Sequence, residues 1–163
     1  MNDHVNTVIE IPKGSMMKIE WDRKKGYFAL DRVEPGIFAK PCNYGFIPGT
    51  IDEDGDELDT LVVTEEPLPT GVVVEEAVVV GVLNFEDDGE MDHKVILVPS
   101  DDRHAGKVTS YEEFGERWAA QIEHHFNHYK DLKKPGTTKV LGFGSTEDAW
   151  KVIAECVERA ENE

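Results

Sequence analysis

The sequence predicts an α+β chain, mainly β, in which a small twisted barrel carries two helices packed on it toward the C-terminus. Three observations lead there. Short β-branched segments bounded by Gly, Pro and Asp fill the first two-thirds of the chain. In the last third, apolar residues recur every three or four positions. No linker, repeat or low-complexity tract divides the 163 residues, and that length fits one compact domain spanning residues 1–163.

Val8-Ile9-Glu10-Ile11 reads as the first strand and stops at the turn signal Pro12-Lys13-Gly14. From Met17 to Asp22 apolar and polar residues alternate at period two, as in a half-buried strand. Lys24-Lys25-Gly26 then turns the chain into Tyr27 to Asp31, which completes a hairpin. Leu58 to Val63, Val72 to Phe85 and Lys94 to Val98 are further strands, and Gly81 lets the longest of them bend at a barrel corner. Ser110-Tyr111-Glu112-Glu113 has the capping-box pattern, so a helix is expected from there through Tyr129, with Phe114, Trp118, Ile122 and Phe126 on its apolar face. Pro135-Gly136 ends this region, and Lys139 to Phe143 reads as one more strand. Ser145-Thr146-Glu147-Asp148 opens a second helix that carries Ala149, Val152, Ile153, Cys156 and Val157 on one face.

Composition excludes several classes. With 34 acidic against 17 basic residues the net charge is −17, so the chain lacks the basic face that a general nucleic-acid binder needs. The same charge disfavours anionic membrane surfaces, and the longest apolar run, Ala77 to Leu83, is too short to span a bilayer. Cys42 and Cys156 match no zinc or redox spacing and read as reduced thiols. No basic segment followed by an apolar stretch opens the chain, and a cytoplasmic protein is the expectation.

The chemistry lies in the acids. Asp54, Asp56 and Asp59 crowd into Asp54-Gly55-Asp56-Glu57-Leu58-Asp59, and Asp87 and Asp92 flank Gly89 in a second turn. Carboxylates this close ionise together only with a cation between them. Hard oxygen donors suit Mg²⁺ or Mn²⁺. A turn at Gly55 brings the first three together. A calcium EF-hand does not fit, because the position that needs Gly holds Glu57. Taken alone, the loop is equally well a solvated acidic turn, and Asp92 with Lys94 equally well a surface ion pair. Lys18, Arg32, Lys94 and Lys130 are rare positive charges in an acidic chain, and anionic ligands beside such cationic anchors describe a site for a metal-complexed phosphate.

The residues also carry a resemblance. Pro41-Cys42-Asn43-Tyr44-Gly45 followed by Asp54-Gly55-Asp56-Glu57-Leu58-Asp59 resembles the signature region of the soluble family I inorganic pyrophosphatases, in their compact prokaryotic form. The likeness extends to Ile9-Glu10-Ile11-Pro12, Lys18-Ile19-Glu20, Leu30-Asp31-Arg32, Asp87 to Lys94, and His128-Tyr129-Lys130-Asp131-Leu132. It implies an OB-like five-stranded barrel and hydrolysis of Mg²⁺-pyrophosphate to two orthophosphates. It implies Asp54, Asp59, Asp87, Asp92, Glu10 and Glu20 as metal ligands, some through water, and Asp56 as general base. It implies Lys18, Arg32, Lys94, Tyr129 and Lys130 as phosphate contacts and Tyr44 as an active-site phenol. It further implies a homohexamer, a dimer of trimers, with His124 and His128 at subunit contacts. The chain departs from the family pattern at Lys40, where a tyrosine usually precedes the proline, at Glu57 and Thr60, and between Asp101 and Thr109, where an Asp-His-Ile pattern is often found. A divalent-cation binding protein without catalysis is the second reading, and a phosphohydrolase of nucleotides or polyphosphate the third. The four basic residues favour the first reading over the second, because a cation buffer has no use for them.

Overall fold

The computed structural model describes residues 4–163. Nine strands and two α-helices run in the order β1 (His4–Ile11), β2 (Met17–Asp22), β3 (Tyr27–Val33), β4 (Asn43–Phe46), β5 (Asp59–Val62), β6 (Val73–Asp87), β7 (Glu90–Met91), β8 (Lys94–Val98), α1 (Glu116–His128), β9 (Thr138–Gly144) and α2 (Thr146–Glu161). Strands β1, β4, β5, β8 and β6 pair in that order, and β6 pairs back onto β1, which closes a five-stranded, OB-like ring. Strand β5 pairs parallel with β8, and the other ring pairs are antiparallel. Strand β9 extends the sheet along β6. Strands β2 and β3 form a separate two-stranded ribbon.

Strand β6 pairs with β1, β7, β8 and β9 and bends along its length. Its register against β8 shifts between Val79 and Gly81, where the sequence places the bend. Gly81 is required there, because a Cβ would sit 2.6 Å from the Tyr111 ring.

The ring strands are buried on both faces, so they read as apolar runs more than as alternations. Alternate residues serve two cores. Leu61, Val80, Ile96 and Val98 pack with Ile122 and Phe126 of α1. Val62, Val79, Val95 and Leu97 pack with Ala149, Ile153 and Cys156 of α2. Helix α2 begins at the expected capping box, in which the Ser145 hydroxyl accepts from Asp148 N and the Asp148 carboxylate accepts from Ser145 N. Both cysteines are buried and free. No described helix is long and apolar enough to cross a membrane.

Two expectations need correction. The helix foreseen from Ser110 to Tyr129 is two elements. The Ser110 capping box starts a 3₁₀ turn, Tyr111–Phe114, and Gly115 at φ 91° breaks it from α1. Strand β4 went unread because all four of its residues are buried and two, Asn43 and Gly45, are poor strand formers. Gly45 is needed for β1 to approach β4, since a Cβ would lie 2.1 Å from the Val8 carbonyl oxygen.

Candidate active site

The acidic loop joins β4 to β5 and turns at Gly55, φ 88°. Gly55 N donates to Asp52 O at 3.0 Å and Asp52 N to Asp56 O at 2.8 Å, which closes the loop on itself. Asp52, 2% exposed, braces it from below. Its carboxylate accepts from His93 N at 2.8 Å, from Glu53 N at 2.8 Å and from the Cys156 thiol at 3.7 Å. Asp52, Glu53 and His93 bring their ligand atoms within 4.8 Å of one another, but these bonds already occupy Asp52, so the group is a structural brace.

With the loop so held, Asp54, Asp56 and Asp59 converge on a cleft of about 280 Å³. Asp87 and Asp92 reach it from the β6–β7 hairpin, where Asp87 pairs with Glu90 around Asp88 and Gly89. Both turn residues have positive φ, as a two-residue type I′ turn requires. Glu10 of β1, Lys18 and Glu20 of β2, Arg32 of β3, Tyr44 of β4, and Tyr129 and Lys130 after α1 complete the walls. Lys18 and Arg32 are cross-strand partners on the ribbon, which explains how residues far apart in sequence share one wall.

Lys94 is the exception among the expected site residues. It lies beneath the cleft floor, fully buried, and does not line the cavity. The parallel register of β5 and β8 sets Asp59 beside it. Its ammonium donates to Asp59 Oδ2 at 2.8 Å and pairs with Asp92 Oδ2 at 3.0 Å. Burial alone would lower the Lys94 pKa, but these two carboxylates outweigh it and raise it above the usual lysine value.

Charges of both signs alternate around the cleft. Lys18 pairs with Glu20 at 2.9 Å, Lys130 pairs with Asp87, and Arg32 bonds to Glu34 and, at 2.7 Å, to Asp31. The acids still outnumber their partners. Burial, then the charge of Asp59, pushes Glu10 up to about 8. Burial, with Asp59 and Asp56 next to it, pushes Asp54 up to about 6, although Asp56 N donates to it. Asp56 is raised too, by burial and then by Asp59 and Glu20. Asp92 stands well above the carboxylate range because burial and Asp59 overcome Lys94. Burial would also raise Asp59, but Lys94 and the hydrogen bonds from Asp92, Lys94 and Tyr44 hold it low. Tyr44 donates its hydroxyl to Asp59 Oδ2 at 2.6 Å. Burial lifts the pKa of Tyr44 and Tyr129 above the phenol range, which keeps both as donors. A site with this excess of crowded, reluctant carboxylates fits divalent cations.

Three further residues line the cleft that the sequence reading did not assign to it: Trp21, Phe46 and Glu57. Period two placed Trp21 on the face opposite Glu20. Both nevertheless line the cleft, and the ribbon's one register shift, which leaves out Asp31 on β3, does not disturb the alternation of β2. Trp21 stacks on Phe46 at 6.4 Å and its backbone N donates to Glu10 at 2.7 Å. Glu57 pairs with Arg23 at 3.3 Å, linking the acidic loop to the ribbon. His124 and His128 lie away from the cleft, exposed on α1, with ring centroids 4.5 Å apart.

Comparison with known proteins agrees with this architecture. A sequence model described as inorganic pyrophosphatase matches residues 7–161. An inorganic pyrophosphatase of Neisseria meningitidis serogroup B is 60% identical over 156 residues, covering 95% of this chain and 88% of the relative. One from Haemophilus influenzae is 57% identical over the same length, with the same coverage. The crystal structure of an inorganic pyrophosphatase from Neisseria gonorrhoeae superposes with a TM-score of 0.95 at 58% identity, covering 98% of this chain and 92% of that one. That from Thermus thermophilus gives 0.90 at 40% identity, covering 98% and 92%. The chain belongs to the inorganic pyrophosphatase family, a family of hydrolases.

Proposed function

We propose that this chain hydrolyses inorganic pyrophosphate to two orthophosphates, with Mg²⁺ as its cofactor and Mn²⁺ as a substitute. The observation that carries the reading is the cleft itself. All the residues expected from the sequence except Lys94 line one cavity of about 280 Å³, acids and cations interleaved. A cation buffer would not need Lys18, Arg32 and Lys130 on the same wall as its ligands. Asp54, Asp59, Asp87 and Asp92 would hold the metals, with Glu10 and Glu20 as outer contributors. Bound metal supplies neutralisation of the substrate's charge and acidification of water.

The chain's own groups do the rest. Lys18, Arg32, Tyr129 and Lys130 donate to the phosphate oxygens and take up charge on the leaving group. Arg32 is oriented for this by Glu34 and Asp31, which occupy its Nε and one Nη. Asp56 accepts the proton of the attacking water, a role favoured by its raised pKa. Tyr44 fixes Asp59, and Lys94 holds Asp59 and Asp92 from below. The reading extends to a cytoplasmic homohexamer in which the exposed His124 and His128 meet a neighbouring subunit.

The direct test is orthophosphate release from pyrophosphate, with ATP in parallel and Mg²⁺ present or chelated. Fast release from pyrophosphate alone, abolished by the chelator, is the expected result. Release from ATP at a comparable rate would replace pyrophosphate by a wider substrate class. No release from either, with Mg²⁺ still bound, would leave a cation-binding protein.

A further inference from the structure

Lys40 is a buried cation that the reaction outlined above does not use. It is 7% exposed. Its peptide is clamped on both sides, since Lys40 N donates to Ser15 O at 3.1 Å and Gly14 N donates to Lys40 O at 2.8 Å. The side chain is thereby directed inward. Its Nζ lies 4.6 Å from the ring centroid of Tyr129, 5.0 Å from that of Tyr44 and 5.4 Å from that of Phe126. Tyr44 and Tyr129 are walls of the cleft.

Two other ammonium groups converge on the same phenol, Lys94 at 5.1 Å and Lys18 at 5.6 Å from the Tyr44 centroid. Each of those has an anion: Glu20 for Lys18, Asp59 and Asp92 for Lys94. Lys40 has none within 4 Å among the described residues. Burial, and then the charges of Lys18 and Lys94, bring its pKa down to about 7. Aromatic faces offset only part of the cost of a buried ammonium. An anion arriving in the cleft beyond Tyr44 and Tyr129 would supply the counter-charge that Lys40 lacks and favour its protonated form.

We propose that Lys40 is a further phosphate-positioning residue, whose unpaired charge behind Tyr44 and Tyr129 draws a phosphate group into the cleft. This rests on the pyrophosphatase reading for the identity of the substrate but not for the anion itself. It acts through the two phenols, and it adds affinity for both pyrophosphate and orthophosphate.

The test compares K40M and K40R with the wild-type full-length protein in Mg²⁺. Orthophosphate binding is measured by calorimetry, and pyrophosphate turnover gives kcat and KM separately. K40M is expected to weaken orthophosphate binding and raise KM about tenfold, through the loss of one charge behind the cleft wall, while kcat changes less than about threefold. K40R is expected to stay within about threefold of wild type, because it keeps the charge. Unchanged orthophosphate affinity and KM in folded K40M would overturn the proposal. So would an equal loss in K40R, which would mark packing as the cause. Should K40M fail to fold, the ¹³Cε resonance of Lys40 in the wild-type protein decides: its titration midpoint rises on saturation with orthophosphate, and no response overturns the assignment. Wild-type protein that binds orthophosphate through Lys40 yet releases none from pyrophosphate would sink the catalytic reading and leave this anion site standing.

Discussion

Replacing Lys94 by methionine keeps the volume and removes the charge under the cleft floor. The wild-type ammonium sits 2.8 Å from Asp59 and 3.0 Å from Asp92. At an effective dielectric of about 20 the contact with Asp59, the carboxylate that is held ionised, is worth about 6 kcal/mol of attraction, much of which offsets the desolvation of the buried groups. Without Lys94, the Asp59 carboxylate stays behind with its side chain only 18% exposed, next to Asp92 at 13%. Breaking a buried pair in this way costs about 3–5 kcal/mol. For a chain of this length that corresponds to a Tm lower by about 6–20 °C. The assay is urea and thermal unfolding of metal-free protein at pH 8, followed by circular dichroism and tryptophan fluorescence. The pH dependence has a definite sign. Lys94 has a raised pKa, so its contribution is complete throughout pH 5–8 in the wild type. In the mutant, Asp59 loses the cation that held its pKa low and takes up a proton more readily as the pH falls, so the deficit shrinks toward pH 5. A metal-free mutant within about 1 kcal/mol of wild type at pH 8, or a deficit that grows on acidification, would refute the charge argument.

Four other outcomes are expected. Asp56→Asn lowers kcat at least ~10²-fold in a protein that still folds, the range for losing a general base; near-normal turnover takes Asp56 out of that role. Metal-free protein loses stability as the pH rises, because Glu10 and Asp54 have raised pKa values of about 8 and about 6, and the stability gained by burying them protonated is present in acid and gone above those values. Millimolar Mg²⁺ flattens that slope and raises Tm, and a Tm indifferent to Mg²⁺ at pH 8 counts against a metal site. Gly45→Ala, which sets a Cβ 2.1 Å from Val8 O, lowers the urea midpoint by the equivalent of about 3 kcal/mol; an unmoved midpoint would mean that β1 and β4 do not approach this closely.

Local pattern was enough to identify most of the elements. Period two in Met17 to Asp22, the capping boxes at Ser110 and Ser145, and the Asp88-Gly89 turn act over two to six residues, so the sequence by itself determines them. The acid-rich loop was legible for the same reason, since crowding of Asp54, Asp56 and Asp59 is a local fact. Other features depend on neighbours that the linear chain does not show. Strand β4 exists because β1 and β5 pair with it on either side, and its own propensity argues against it. The break at Gly115 could be suspected from the glycine, but only the packing of Tyr111 against Gly81 and Phe143 shows why the chain stops and restarts there. Trp21 lines the cleft together with its neighbour Glu20, which strict alternation along β2 does not foresee.

The same division runs through the site. Which residue types gather in the cleft was decided by the sequence, because charge belongs to the side chain. Which of them face the cleft and which support it was decided by the tertiary structure, because burial and pairing belong to the fold. Lys18 and Lys94 are both lysines beside acids in the sequence; one lines the cavity and the other is sealed beneath it by the parallel register of β5 and β8. Lys40 looks in the sequence like one more charge next to a proline, and only its enclosure by three aromatic rings without a carboxylate partner gives it a role.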